Sequence, residues 1–166
     1  MNKLRIVIPL LVVGLSACGQ SEDSEPSVSS AGPGSAGTAS SGQALASPWY
    51  SAAQVTEGER VFKDNCAQCH GAQAEGDSDW RRADSEGKYP PPPLNGSGHG
   101  WHHPLRILFT VIKNGSPGGQ GNMPAWGDSL SDEEILSSIA WFQSNWPEEI
   151  YAAWRRRDQQ ARSKTQ

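Results

Sequence analysis

The sequence predicts an all-α domain whose helices are joined by long loops and close around a bound group as well as around side chains. Three observations carry this. Four segments place apolar residues at helical spacing behind recognisable start signals, and no stretch of useful length alternates apolar and polar residues with the period of two that a strand requires. Two Gly/Pro-rich stretches, residues 71–102 and 114–130, are too irregular to pack without something to pack against. The length, 166 residues, suits one domain. A formal charge of −4, with the basic residues clustered only at 155–157, argues against nucleic-acid binding, which needs a concentrated Lys/Arg surface. Three cysteines are too few for a disulfide scaffold.

The chain opens with Lys3 and Arg5, an apolar run over residues 6–15 and the small residues Ser16 and Ala17, which together read as an export signal over residues 1–17. The run is shorter than the roughly 20 residues that span a bilayer. Leu15-Ser16-Ala17-Cys18 resembles a bacterial lipobox, and the resemblance implies cleavage before Cys18 and lipid on its thiol. Gly19, standing where an inner-membrane retention signal would favour Asp, tilts the expected location toward the outer membrane. Loss of residues 1–17 removes two cations and no acid, so −4 becomes −6 in the exported chain. Residues 18–48 are then a lipidated linker, made almost entirely of Ser, Gly, Ala, Pro and acids, with too little apolar surface to offset the entropy of ordering. As a coil it spans about 30 Å.

All seven tryptophans lie from residue 49 onward, so the folded domain is placed at residues 49–146. Thr56 followed by Glu59 has the form of a capping box and predicts a helix over residues 57–65. His103 and Pro104 before Leu105, Leu108, Val111 and Ile112, with Gly115 beyond, predict a second helix, Pro at its first position and His103 capping it. Ser131 and Glu134 form another capping box before the apolar face of Ile135, Ile139, Trp141 and Phe142, and Pro147 ends that run. Residues 147–166 form an extension or tail. Within it a short helix over residues 148–157 would present Ile150, Tyr151 and Trp154 on one side, with three arginines near its negative end.

Cys66-Ala67-Gln68-Cys69-His70 is the attachment motif of c-type haem. Two thiols one helical turn apart can each add to a vinyl group, and the histidine that follows is placed for the iron. A thioredoxin-like dithiol would want a parallel sheet, and half a zinc site would want a second Cys/His pair. The cysteines are then all assigned: Cys18 to lipid, Cys66 and Cys69 to one haem c.

With these residues in place, residues 51–145 resemble a class I cytochrome c. The resemblance implies the cytochrome c fold, a crossing of the first and last helices through Gly58, Phe62, Trp141 and Phe142, and a methionine as the second axial ligand in a loop before the last helix. Asn122-Met123-Pro124-Ala125-Trp126 fits that loop. Met1 leaves with the signal, so Met123 is the remaining thioether, and Trp126 is the tryptophan expected beside the haem. The resemblance also implies a proline carbonyl that accepts from the haem histidine. Pro93, before Leu94, is assigned to it, with Pro92 as the alternative register. The insert over residues 77–89 departs from the smallest members of the family.

His99, His102 and His103 flank Trp101 and are read as cap and loop residues around the haem edge, with a second metal such as copper, or iron ligation in place of Met123, as alternatives. His and Met on the iron leave no open position and favour a one-electron couple. The function expected is therefore electron transfer between respiratory or dehydrogenase partners on the periplasmic side of the envelope. The chain is expected not to be an enzyme and to have no small-molecule substrate. Alternatives are a haem-based sensor or small peroxidase with a displaceable Met123, and a cytochrome subunit fixed on a larger oxidoreductase.

Overall fold

The computed structural model describes residues 47–164. The signal at residues 1–17, Cys18 and nearly all of the linker lie outside the described residues. Five helices follow in order: α1 (Ala52–Asn65), α2 (Ala67–His70), α3 (Leu105–Asn114), α4 (Asp132–Ser144) and α5 (Glu148–Ser163). Single 3-10 turns lie at Gly100–His102 and Pro117–Gly119, and among the described residues the only ladder pairing is an isolated bridge between Tyr89 and Gly121. The all-α expectation holds.

Helix α1 begins a turn and a half earlier than the Thr56 signal implies. Ser51-Ala52-Ala53-Gln54 is itself a capping box: the Gln54 N–H donates to Ser51 Oγ at 3.2 Å, and Gln54 Oε1 accepts from the Ser51 N–H at 3.0 Å. Nothing between Ala52 and Thr56 breaks a helix, so the first good cap prevails. Thr56 instead donates back to the Ala52 carbonyl, and Glu59 pairs with Lys63 one turn on.

Helix α1 packs most extensively on α4. The contact is made at Gly58, where any Cβ would overlap the Ser137 carbonyl and come within 2.9 Å of the Trp141 Cβ. One turn later Phe62 lies against Trp141, ring centroids 4.4 Å apart. Helix α4 starts as expected, with Ser131 and Glu134 exchanging both capping bonds. Its buried face of Ile135, Ile139, Ala140 and Phe142 forms the centre of the core.

Helix α5 runs six residues past the expected end near Arg157, to Ser163. Its arginines at 155–157 are therefore mid-helix, and Arg157 stands over the Trp101 ring at 5.3 Å. The extra turns are held by Asp158, which is buried. Its Oδ1 accepts from the Leu105 N–H at 2.9 Å and its Oδ2 from Arg162 Nε at 2.7 Å. Helix α3 is thus capped by a carboxylate 53 residues away, with Pro104 at the N-cap position and not at the first helical position. His103 does not cap it; its carbonyl accepts from Trp154 Nε1 at 2.9 Å.

Candidate haem site

The motif sits where α1 ends. Cys66 caps α1 with its N–H on the Phe62 carbonyl, and the single turn of α2 then carries Cys69 to the surface and His70 into the interior, where it is 8% exposed. Burial pushes the Cys66 thiol up to about 11, with the neighbouring Cys69 adding to the effect.

His70 is oriented by Pro92. Its Nδ1 lies 2.9 Å from the Pro92 carbonyl oxygen. A carbonyl can only accept, so Nδ1 carries the proton and Nε2 keeps its lone pair for a metal. Burial lowers the His70 pKa, against the Pro92 contact, which raises it. The neutral ring is thereby favoured.

The carbonyl belongs to Pro92 and not to Pro93. Prolines have no N–H, so the register of residues 90–93 is set by the few donors around them: the Leu94 N–H on the Ala74 carbonyl and the Asp77 N–H on the Pro91 carbonyl, both at 2.8 Å. Between these ties Gly76, at φ +66°, presses so closely on the Pro92–Pro93 bond that a Cβ would overlap it. Pro93 is buried behind the site, its carbonyl against Gly98.

Cys66, Cys69, His70, Met123 and Trp126 all line one cavity of about 1020 Å³. That is the upper end of the size range of cofactor pockets. The remaining wall is largely apolar, with Leu94 from the loop before α3, Leu108 and Ile112 from α3 and Phe142 from α4. The donor set, the neutral buried imidazole and the size of the cavity fit a covalently held haem. His70 and Met123 are the residues that would ligate its iron, and Cys66 and Cys69 those that would carry its thioethers.

The structure divides the histidine cluster. His99 and His103 line the cavity, with rings 5.4 Å apart, whereas His102 lies on Trp101 and does not. His99 stacks on Trp80 from the insert at 5.3 Å. Burial lowers the pKa of both His99 and His103; the positive charge of His103, His102 and Arg81 lowers that of His99 further, and the charge of His102 lowers that of His103. Among the described residues no group of three or more His, Cys, Asp or Glu side chains is placed to hold a second metal.

Sequence reasoning missed the insert's part in the cavity. Trp80, Arg81 and Tyr89 contribute to the wall, and the Tyr89 N–H donates to the Gln120 carbonyl at 2.9 Å, joining the insert to the Met123 loop. No spacing in residues 77–89 signals this, because the contacts run between two irregular segments.

Residues 53–142 match the family described as cytochrome c oxidase, cbb3-type, subunit III. The chain is similar to the cbb3-type cytochrome c oxidase subunit FixP of Sinorhizobium medicae (strain WSM419), 31% identical over 108 residues, which are 61% of this chain and 34% of the relative. FixP of Rhizobium meliloti (strain 1021) is 29% identical over the same length, with the same coverage. The chain spans about a third of the length of these curated relatives. No solved structure gives a significant match.

Proposed function

The chain belongs to the cbb3-type cytochrome c oxidase subunit III family and is a class I c-type cytochrome with haem c; from that we propose that it is a one-electron carrier tethered by lipid on Cys18 to the periplasmic side of the envelope. Bound haem c supplies a one-electron couple. The rest would be done by this chain's residues: His70, oriented by Pro92, and Met123 would ligate the iron, and the largely apolar wall would limit the access of water to it. The observation that carries the reading is the convergence of Cys66, Cys69, His70 and Met123 on one cavity. With both residues bound to the iron no position would be open, and substrate chemistry is not expected.

The anchor rests on Leu15 to Cys18, and Gly19 favours the outer membrane. Among the described residues no helix is long and apolar enough to cross a membrane. Stopped-flow mixing of the reduced holoprotein with an oxidised redox partner should show single-electron exchange. The rate should change with ionic strength, since a chain near −6 meets partners through a field that salt screens over about 8 to 10 Å. Peroxide consumption at enzyme-like rates with Met123 still bound would overturn the carrier reading.

A second reading has its own support. Both relatives are named as oxidase subunits, so the chain is also a candidate for a fixed subunit of a membrane oxidoreductase. Stoichiometric co-purification with an oxidase in mild detergent would favour that reading over a mobile shuttle.

A further inference from the structure

Residues 117–122, just before Met123, include three glycines, Gly118, Gly119 and Gly121, and such a segment loses much conformational entropy when it is ordered. A ligand at its end needs to be pinned. On the downstream side the pins are the Trp126 and Gly127 N–H groups, which donate to the Ile112 and Lys113 carbonyls at the end of α3 at 3.1 and 3.0 Å. On the upstream side they come from one residue. The Ser116 N–H donates to the Met123 carbonyl at 3.0 Å, and the Met123 N–H donates to Ser116 Oγ at 3.1 Å. Both polar backbone groups of Met123 are thus taken by Ser116, which itself lines the cavity.

The neighbouring glycines are shaped to this contact. Gly115, at φ +84°, lets the chain pass so close that a Cβ would lie 2.9 Å from the Met123 carbonyl oxygen. Gly121 leaves Ser116 Oγ free to accept, since a Cβ there would lie 2.8 Å from it. Pro124 restricts Met123 to extended backbone, and the Tyr89–Gln120 bond braces the tip of the turn from outside.

We propose that Ser116 is a positioning residue for Met123: its hydroxyl holds the methionine backbone in the one place from which the thioether stays in the haem cavity, and so sets how readily the distal position opens. This rests on the reading of Met123 as the distal ligand. Losing one neutral hydrogen bond of this kind shifts a closed-to-open equilibrium by roughly 2- to 10-fold.

The experiment compares four holoproteins: wild type, Ser116→Ala, Met123→Ala and the double variant. The readouts are carbon monoxide binding to the reduced haem, the weak far-red sulfur-to-iron band of the oxidised haem, and the midpoint potential. Ser116→Ala is expected to speed carbon monoxide binding roughly 2- to 10-fold and to lower the potential. In the Met123→Ala background the same change should have no effect on carbon monoxide, since nothing remains to be released. Gly121→Ala keeps the serine but crowds its hydroxyl, and should move carbon monoxide binding in the same direction; it serves if Ser116→Ala does not fold. An unchanged rate in Ser116→Ala, or in Gly121→Ala where Ser116→Ala does not fold, or an equal gain with and without Met123, overturns the positioning role while leaving the ligand in place. A far-red band that survives Met123→Ala overturns the ligand reading itself, and the proposal with it.

Discussion

Replacing Asp158 with alanine should destabilise the domain by about 2 to 3 kcal/mol, although the residue lies outside the stretch that matches the family. The carboxylate accepts the Leu105 N–H at 2.9 Å, the first free donor of α3, in a partly buried position. A hydrogen bond to a charged group contributes about 1.5 to 3 kcal/mol, and a helix cap lost to alanine costs about 0.5 to 2. These describe one interaction and do not add. The second partner, Arg162, keeps an exposed side chain, so its ion pair with Asp158 adds only about 0.3 to 0.5 kcal/mol. The expected order is therefore Asp158→Ala well below Asp158→Asn, whose amide oxygen can still accept from Leu105, and Arg162→Ala close to wild type. Guanidinium unfolding of the holoprotein, followed by far-ultraviolet dichroism and haem absorbance, measures all three. An Asp158→Ala protein within about 0.5 kcal/mol of wild type, or an Arg162→Ala protein equally destabilised, would refute the claim that the carboxylate acts through α3.

Gly58→Ala improves helix propensity by about 1 kcal/mol, yet the overlap with the Ser137 carbonyl should leave it less stable by about 1 to 3 kcal/mol in the same unfolding assay. Met123→Ala should lose the far-red band and admit carbon monoxide, whereas His99→Ala, His102→Ala and His103→Ala should each keep the band. Its loss in one of the three would move distal ligation to that histidine. Cys18→Ala should abolish retention in salt-washed membranes, since stable anchoring requires more than one acyl chain. Wild-type protein with no acyl mass would rule the anchor out.

Local rules were sufficient wherever the partner lies within one turn. The capping box at Ser131 needs only Glu134, and the Cys66-x-x-Cys69-His70 spacing is one helical turn, whereas Met123 was assigned through the resemblance to class I cytochromes c. Local rules failed where two good signals competed. Ser51 and Thr56 both precede an acceptor by three residues, and the earlier one caps because the intervening alanines have no reason to leave the helix.

The tertiary structure decided whatever depends on register between distant irregular segments. Pro92 supplies the carbonyl to His70 because Leu94 and Asp77 pair with Ala74 and Pro91, and four prolines in a row carry no period from which that offset could be read. The same holds for Asp158 at the start of α3, for Ser116 around Met123, and for the insert's Tyr89 on Gln120. The make-up of the cavity wall was legible in part: Cys66, Cys69 and His70 from their short spacing, Met123 and Trp126 from the family resemblance. Its alignment was not, because a hydrogen bond between residues 22 or 53 apart depends on where two backbones meet, and only the packed chain determines that.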